Sequence, residues 1–299
     1  MEFLPQHQLP MELAALLRRA YGDVALEVVK ANPYLLVDRE FEVEFSQADA
    51  LALSLGVGAE DPLRLEAGLA FELVHNNYNN GHTFLPRRKL VEATATLLEV
   101  SSTLLEESLD ALIRRGEAEC EPVAGQEAVY LPALYEAETF IAQRVREMSQ
   151  SELVPPEGLD RLIRRIEQDQ HIAYAPQQRA AVELAAGRQI MLLTGGPGTG
   201  KTTCLRGGLA LFEMMGLETA LTAPTGRAAK RLGELCYTEA STIHRLLETG
   251  FDPRSGKLVF TRNSYNPLRA RAVIVDETSM VDVPLMAALL DALEGDCRL

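Results

Sequence analysis

The sequence predicts an α/β fold, a parallel sheet covered by helices, preceded by a mainly α-helical region. Three observations carry that expectation. The run Gly195-Gly196-Pro197-Gly198-Thr199-Gly200-Lys201-Thr202 fits G-x-x-x-x-G-K-[ST] and lies between an apolar run and a helical pattern. Strand and helix signals then alternate to the end of the chain. A second apolar run, Val273-Ile274-Val275, ends in the adjacent carboxylates Asp276 and Glu277.

In the 299-residue chain, a hydrophobic share of 47% and a charged share of 24% are those of a globular protein with two or three domains. The four cysteines lie far apart without a C-x-x-C, so neither a zinc site nor a disulfide framework is expected. They fit buried thiols of a reducing cytosol, so the expected location is cytoplasmic. The N-terminus has no basic segment followed by an apolar core, and no run of 18 apolar residues reads as a membrane span. Residues 1–170 hold 15 Lys and Arg against 30 Asp and Glu, leaving 14 against 13 in residues 171–299, so the first part carries all of the excess negative charge. A polyanion is repelled by that part, and the C-terminal half is the better platform for nucleic acid.

Along the chain, helices are expected at 11–31, in two pieces around Tyr21-Gly22-Asp23, with Asn32-Pro33 breaking the pattern. Further helices are expected at 46–55 and 63–76, followed by a polar turn at 76–81. Helices at 85–98 and 103–115 come next, with Thr103 and Glu106 at capping-box spacing, then strands at 118–123 and 128–131 joined through Ala124-Gly125. Helix, helix, hairpin is the outline of a winged helix, and its second helix opens Thr-Leu-Leu-Glu-Glu, which suits packing better than a phosphate backbone. A helix at 134–149, a Pro-containing linker at 151–158 and a helix at 159–169 lead to the α/β part. There the expected order is strand 190–194, helix 201–215, strand 219–223, helix 227–235, hairpin 257–262, strand 272–275 and helix 283–293. The resulting division is 1–60, 61–150 and 151–299.

The chemistry follows from residue type and place. Glycines let a loop curl so that its N–H groups meet anionic oxygens, and a helix N-terminus adds about half a positive charge there. Lys201 is expected to reach the β- and γ-phosphates of a nucleotide, with Thr202 as a magnesium ligand and Asp276 holding the same ion through water. Glu277 is the candidate to polarise an attacking water. The candidate nucleotide-contacting set runs over Gly195, Gly196, Pro197, Gly198, Thr199, Gly200, Lys201, Thr202 and Thr203, with Lys201 and Glu277 as catalytic candidates. Lys201→Ala is expected to abolish nucleotide affinity, and Glu277→Gln to leave ATP binding but stall hydrolysis in the complete protein.

Four segments resemble the first motifs of the RecD-like helicases, the 5′ to 3′ branch of helicase superfamily one. They are Gly195 to Thr202, Ala223-Pro224-Thr225-Gly226-Arg227-Ala228-Ala229-Lys230-Arg231-Leu232, Ser241-Thr242-Ile243-His244-Arg245-Leu246-Leu247, and Asp276-Glu277-Thr278-Ser279-Met280-Val281-Asp282. Ala175-Pro176-Gln177-Gln178 resembles the family's glutamine motif. Asn32-Pro33-Tyr34, Gly81-His82-Thr83-Phe84-Leu85-Pro86 and Val129-Tyr130-Leu131-Pro132 resemble the region ahead of the motor in the longer members.

The resemblance implies a P-loop NTPase with an incomplete RecA-like sheet, ATP and Mg2+ as cofactors, and single-stranded DNA as partner. It implies adenine recognition by Gln178, and DNA contacts by Pro224, Thr225, Gly226, Arg227, Thr242 and His244, with added charge from Lys230 and Arg231. Ser279 and Met280 would pack beneath the site and couple ATP to DNA. The whole protein would be an ATP-dependent DNA helicase of repair or recombination. Two departures stand out. Asp38-Arg39-Glu40-Phe41-Glu42-Val43-Glu44-Phe45 occupies the place of a helix-hairpin-helix turn, without glycine and with four acids. The chain also stops near the start of the strand that leads to the family's third motif, so truncation of a longer protein is expected. The alternative is a nucleotide-dependent DNA-binding or scaffold module without motor activity. A third reading, a P-loop ATPase that remodels protein, fits the Ala-Pro-Thr-Gly-Arg and Thr-Ile-His-Arg segments poorly.

Overall fold

The computed structural model describes residues 3–7, 9–196, 198–251 and 258–299. Pro197 and Lys257 of the expected loop and hairpin therefore lie outside the described residues. The chain forms two compact units, Met1–Glu136 and Ala137–Leu299.

The first unit is helical around one apolar core in which Leu36, Leu69, Leu90, Leu105 and Leu109 are fully buried. Asn32 ends one helix and opens the next turn, its Oδ1 accepting from the Tyr34 N–H at 3.1 Å. The helix Pro62–Asn80 runs through the expected turn at 76–81 and stops at Gly81, which takes the left-handed conformation (φ 69°). Polar asparagines remain helical there because helix propensity is a weak prior against a buried opposite face. The stretch 38–45 is closed by two buried rings, Phe41 and Phe45, and Glu42 adopts φ 52°.

Strand β1 (Phe84–Pro86), helices Arg87–Leu98 and Ser102–Arg114, and strands β2 (Glu119–Val123) and β3 (Gln126–Tyr130) complete the unit. The sheet order is β1-β3-β2, all antiparallel, and Leu85 and Cys120 both pair with Val129. Residue 85 thus belongs to a strand rather than to the start of the following helix. Ala124 (φ 49°) and Gly125 (φ 80°) make the two-residue turn, both with the positive φ that matches strand twist. The expected capping box at Thr103 does not form. Ser101 caps that helix by accepting from Thr103 N–H at 3.3 Å. Glu106 and Asp110 instead hold Arg87, at 2.7 and 2.5 Å, because a half-buried guanidinium outcompetes an exposed amide for a carboxylate.

A buried ion pair fastens the front of this unit. Arg64 donates from Nε and Nη2 to Asp49 at 2.8 and 2.9 Å, and from Nη1 to the carbonyls of Ala59 and Leu98. The Tyr34 hydroxyl donates to the same carboxylate at 2.7 Å, and burial together with that carboxylate pushes the phenol well above its ordinary range. Removing one partner strands a charge that keeps only 8% of its side-chain exposure. Asp49→Ala is expected to destabilise the protein by about 3–5 kcal/mol in urea unfolding. A loss below about 1 kcal/mol would contradict this role.

The second unit holds a parallel sheet of order β5-β4-β8, built from β4 (Thr219–Ala223), β5 (Ala240–Thr242) and β8 (Ala272–Val275). Leu221 pairs with Ala240 on one side and Ile274 on the other. A separate antiparallel hairpin joins β6 (Thr249–Phe251) to β7 (Leu258–Phe260). Helices Lys201–Met214, Gly226–Cys236 and Val283–Asp291 bury Leu211, Leu232 and Leu289.

The expected strand at 190–194 is not formed. Only the segment's start is paired, Met191 N–H donating to the Leu299 carbonyl and Leu299 N–H to the Gln189 carbonyl. Leu192 is 79% exposed. An apolar run sets strand propensity, but a strand needs an edge to pair with.

All four cysteines are free thiols, and burial raises the pKa of each. The Cys297 thiol, fully buried and donating to the Ala270 carbonyl at 3.2 Å, is pushed to about 11. Folding holds this group neutral, so its stabilisation is complete below the unfolded pKa of roughly 8.5 and is lost as pH rises towards about 11. At pH 8, Ellman's reagent is expected to spare Cys297 in the native protein and to react with it once urea is added. Rapid native labelling of Cys297 would contradict its burial.

Candidate functional site

The phosphate-loop candidate lies at the N-terminus of the helix Lys201–Met214. Gly200 is that helix's N-cap at φ 87°, and Gly198 is at φ 73°. A Cβ on Gly200 would lie 2.2 Å from Gln178 Nε2, and one on Gly195 would lie 2.7 Å from Thr199 Oγ1. At Gly200 the positive φ adds a backbone reason for glycine, and at Gly195 a side chain would have to displace the Thr199 hydroxyl. Thr199 Oγ1 donates to the Gly196 carbonyl at 2.9 Å and steadies the turn.

The Lys201 ammonium donates to the Gly195 and Gly196 carbonyls, the second at 2.9 Å. It is exposed, as is Thr202, and no carboxylate pairs with it among the described residues. A lysine held only by loop carbonyls, a free hydroxyl and a glycine-permitted turn are a donor set suited to phosphate and a hard cation. Thr203 sits one residue further into the helix, half-buried.

Gln178 lies on the helix Pro176–Gly187. Its Oε1 accepts from Ala175 N–H at 3.0 Å, and its Nε2 faces the Thr199 carbonyl at 3.4 Å. The side chain therefore touches the loop itself, a contact that nothing in the sequence spacing announced.

Asp276 follows β8 directly, its N–H donating to the Thr222 carbonyl at 2.9 Å. Glu277 takes φ 53° and turns the chain into a short 3-10 helix, Thr278–Met280. Gly198 to Thr202, Asp276, Glu277 and Thr278 line one cavity of about 970 Å³, so loop and acids are brought together. Arg231, read as a source of extra charge, lines the same cavity. Ser279 and Met280 do not pack beneath the site. Both are exposed, Met280 at 60%, because the left-handed turn at Glu277 carries the chain outward.

The nucleic-acid candidates share the sheet edge with these acids. Three parallel strands put their carboxyl ends side by side, with Ala223 opposite Thr242 and Thr222 opposite Val275. Pro224, Thr225, Gly226 and Arg227 follow β4, and Thr242 and His244 stand at the end of β5. Both threonines are N-caps, Thr225 Oγ1 accepting from Ala228 N–H and Thr242 Oγ1 from Arg245 N–H, each at 3.2 Å. Each hydroxyl keeps its own proton to donate, and each helix start leaves further N–H groups open. Gly226 and Arg227 are exposed, and so is His244, whose ring lies 5.8 Å from that of Phe260.

Two family models match the chain. One, described as an AAA domain, covers residues 178–299, and the other, described as the ATP-dependent RecD2 DNA helicase HHH domain, covers residues 1–84. The ATP-dependent RecD2 DNA helicase of Deinococcus radiodurans is 31% identical over 287 residues, 93% of this chain and 39% of that protein. The RecBCD enzyme subunit RecD of Mycolicibacterium smegmatis is 40% identical over 146 residues, 41% of this chain and 26% of the subunit. RecD of Buchnera aphidicola subsp. Acyrthosiphon pisum is 28% identical over 297 residues, 92% of this chain and 48% of the subunit. The chain thus spans less than half the length of each of these relatives. Among the described residues no helix is long and apolar enough to cross a membrane.

Proposed function

We infer that this chain, which belongs to the RecD-like helicase family, forms the nucleotide-binding part of an ATP-dependent 5′ to 3′ DNA helicase. The single observation that carries this reading is the shared cavity that joins the Gly198–Thr202 loop to Asp276 and Glu277. In this reading residues 1–60, 61–150 and 151–299 are a helix-hairpin-helix-like piece, a winged-helix-like piece and the first ATPase lobe.

Lys201 exchanges its two loop carbonyls for phosphate oxygens. Thr202 and Asp276 would hold Mg2+, and Gln178 would contact adenine from its place against the loop. Bound MgATP supplies the γ-phosphoryl group and a divalent charge beside it. Glu277 orients the attacking water and accepts its proton, a role open to an exposed carboxylate at the cavity mouth. Pro224 to Arg227, Thr242 and His244 bind the phosphates of single-stranded DNA through helix-start amides and hydroxyls. Such contacts fix position and leave base sequence unread. Because Pro224 to Arg227 follow β4, which lies between β5 and the strand that carries the acids, hydrolysis at the acids can be felt at the DNA candidates. The location that suits this work is the cytoplasm, with DNA repair or recombination as its setting.

The test is steady-state ATP hydrolysis with and without single-stranded DNA. Stimulation by DNA supports the reading. An unchanged rate counts against it and favours a module that binds nucleotide without motor activity.

A further inference from the structure

We propose that Tyr174 and Gly207 form a peg and notch that set Gln178 against the phosphate loop, and so decide which base the nucleotide site accepts. This inference rests on the reading of Gln178 as the group that meets the base, and deepens it. Tyr174 and Gly207 touch neither phosphate nor base in that reading. They are positioning residues, acting through the helix that carries Gln178.

The helix Pro176–Gly187 packs against the helix Lys201–Met214, and Tyr174 lies directly on the second helix's main chain. A Cβ on Gly207 would lie 2.2 Å from the Tyr174 hydroxyl oxygen, 2.9 Å from its Cζ and 3.0 Å from Val182 Cγ2. Gly207 is buried in the helix interior and has no positive φ, so the backbone alone gives no reason for a residue that weakens helices. The close approach of the ring does. Tyr174 belongs to one apolar cluster with Ile163, Ile166, Val182 and Leu211. Its hydroxyl is buried and finds no hydrogen-bond partner among the described residues. An unmet buried hydroxyl works against the fold, so it is the ring's fit that holds the contact together.

The same stretch is pinned on both sides of Gln178. Tyr174 N–H donates to Glu167 Oε1 at 2.8 Å. Arg179, the next residue after Gln178, pairs with the same carboxylate at 3.5 Å and with Asp160. Both acids sit on the helix Leu159–Asp169. Between these pins the Gln178 amide is caught, Oε1 on Ala175 N–H and Nε2 at 3.4 Å from the Thr199 carbonyl. A shift of the peg therefore moves the amide relative to the loop. Adenine offers an amino donor beside its N7 acceptor, whereas guanine offers two acceptors there. One amide distinguishes them only while it is held in place.

The test compares the affinities of the whole chain for MgATP, MgGTP and magnesium tripolyphosphate by calorimetric titration. Wild type should prefer ATP to GTP by roughly tenfold or more. Gly207→Ala, whose methyl drives Tyr174 out of the notch, should narrow that preference to about threefold or less by weakening ATP, with tripolyphosphate affinity kept within about threefold. Tyr174→Leu empties the notch without a clash and should narrow the preference likewise, so the result does not hang on whether Gly207→Ala folds. Tyr174→Phe keeps the ring and should keep the preference. Full preference in folded Gly207→Ala or Tyr174→Leu overturns the proposal and leaves the reading of Gln178 intact. An equal loss of tripolyphosphate affinity would make the notch a matter of fold alone and overturns it too. A wild type that binds ATP and GTP alike overturns the reading of Gln178, and the proposal with it.

Discussion

Lys201→Ala is expected to weaken MgATP binding by a hundredfold or more in a titration with a fluorescent nucleotide. The ammonium is free of carboxylates among the described residues and is held only by two loop carbonyls. Moving it to phosphate exchanges neutral acceptors for charged ones. A hydrogen bond to a charged group contributes about 1.5–3 kcal/mol, and two of them give a loss of about 3 kcal/mol or more. The fold should survive, because Lys201 is exposed at the first position of its helix and alanine is the better helix former. Wild-type affinity in a folded variant would remove the phosphate site from this loop.

Glu277→Gln separates binding from chemistry. The substitution keeps size and hydrogen-bonding reach and removes the charge that accepts a proton. Nucleotide affinity should stay within about threefold of wild type. Single-turnover hydrolysis, with protein in excess over labelled ATP, should fall by roughly 10²–10⁴-fold. The strained φ of 53° at this position is tolerated by glutamine as it is by glutamate, so loss of fold is not expected. Undiminished turnover would mean that another group orients the water.

The most legible parts of the chain were those in which chemistry and geometry are local. Gly195 to Thr202 is one run of eight residues that ends in the first two of its helix, and the two acids follow their strand directly, so the motifs carried their own context. The hairpin turn at Ala124-Gly125 was legible for the same reason. Thr225 and Thr242 were legible as site candidates, but their capping bonds appear only once the helices are placed.

Long-range partners were not legible. Asp49 and Arg64 lie 15 residues apart and carry no motif, yet they form the buried pair of the first unit. Arg87 took the carboxylate expected to cap a helix, because ion pairing across 19 residues leaves no trace in spacing. The apolar segment 190–194 reads as a strand by composition, yet its ladder ends after Met191 for want of a second edge. The motif suggests a packed Met280, but the side chain is 60% exposed, after a left-handed residue at Glu277.

The central claim is that one loop, one lysine and one hydroxyl hold a metal-bound triphosphate opposite a pair of acids. Anomalous diffraction from crystals grown with Mn2+ and a non-hydrolysable ATP analogue tests it directly. The account predicts one manganese peak at about 2.1 Å from the Thr202 hydroxyl, on the side of Asp276, with the β- and γ-phosphates inside the loop. A manganese peak without Thr202 as a ligand, or phosphates bound elsewhere, would contradict it.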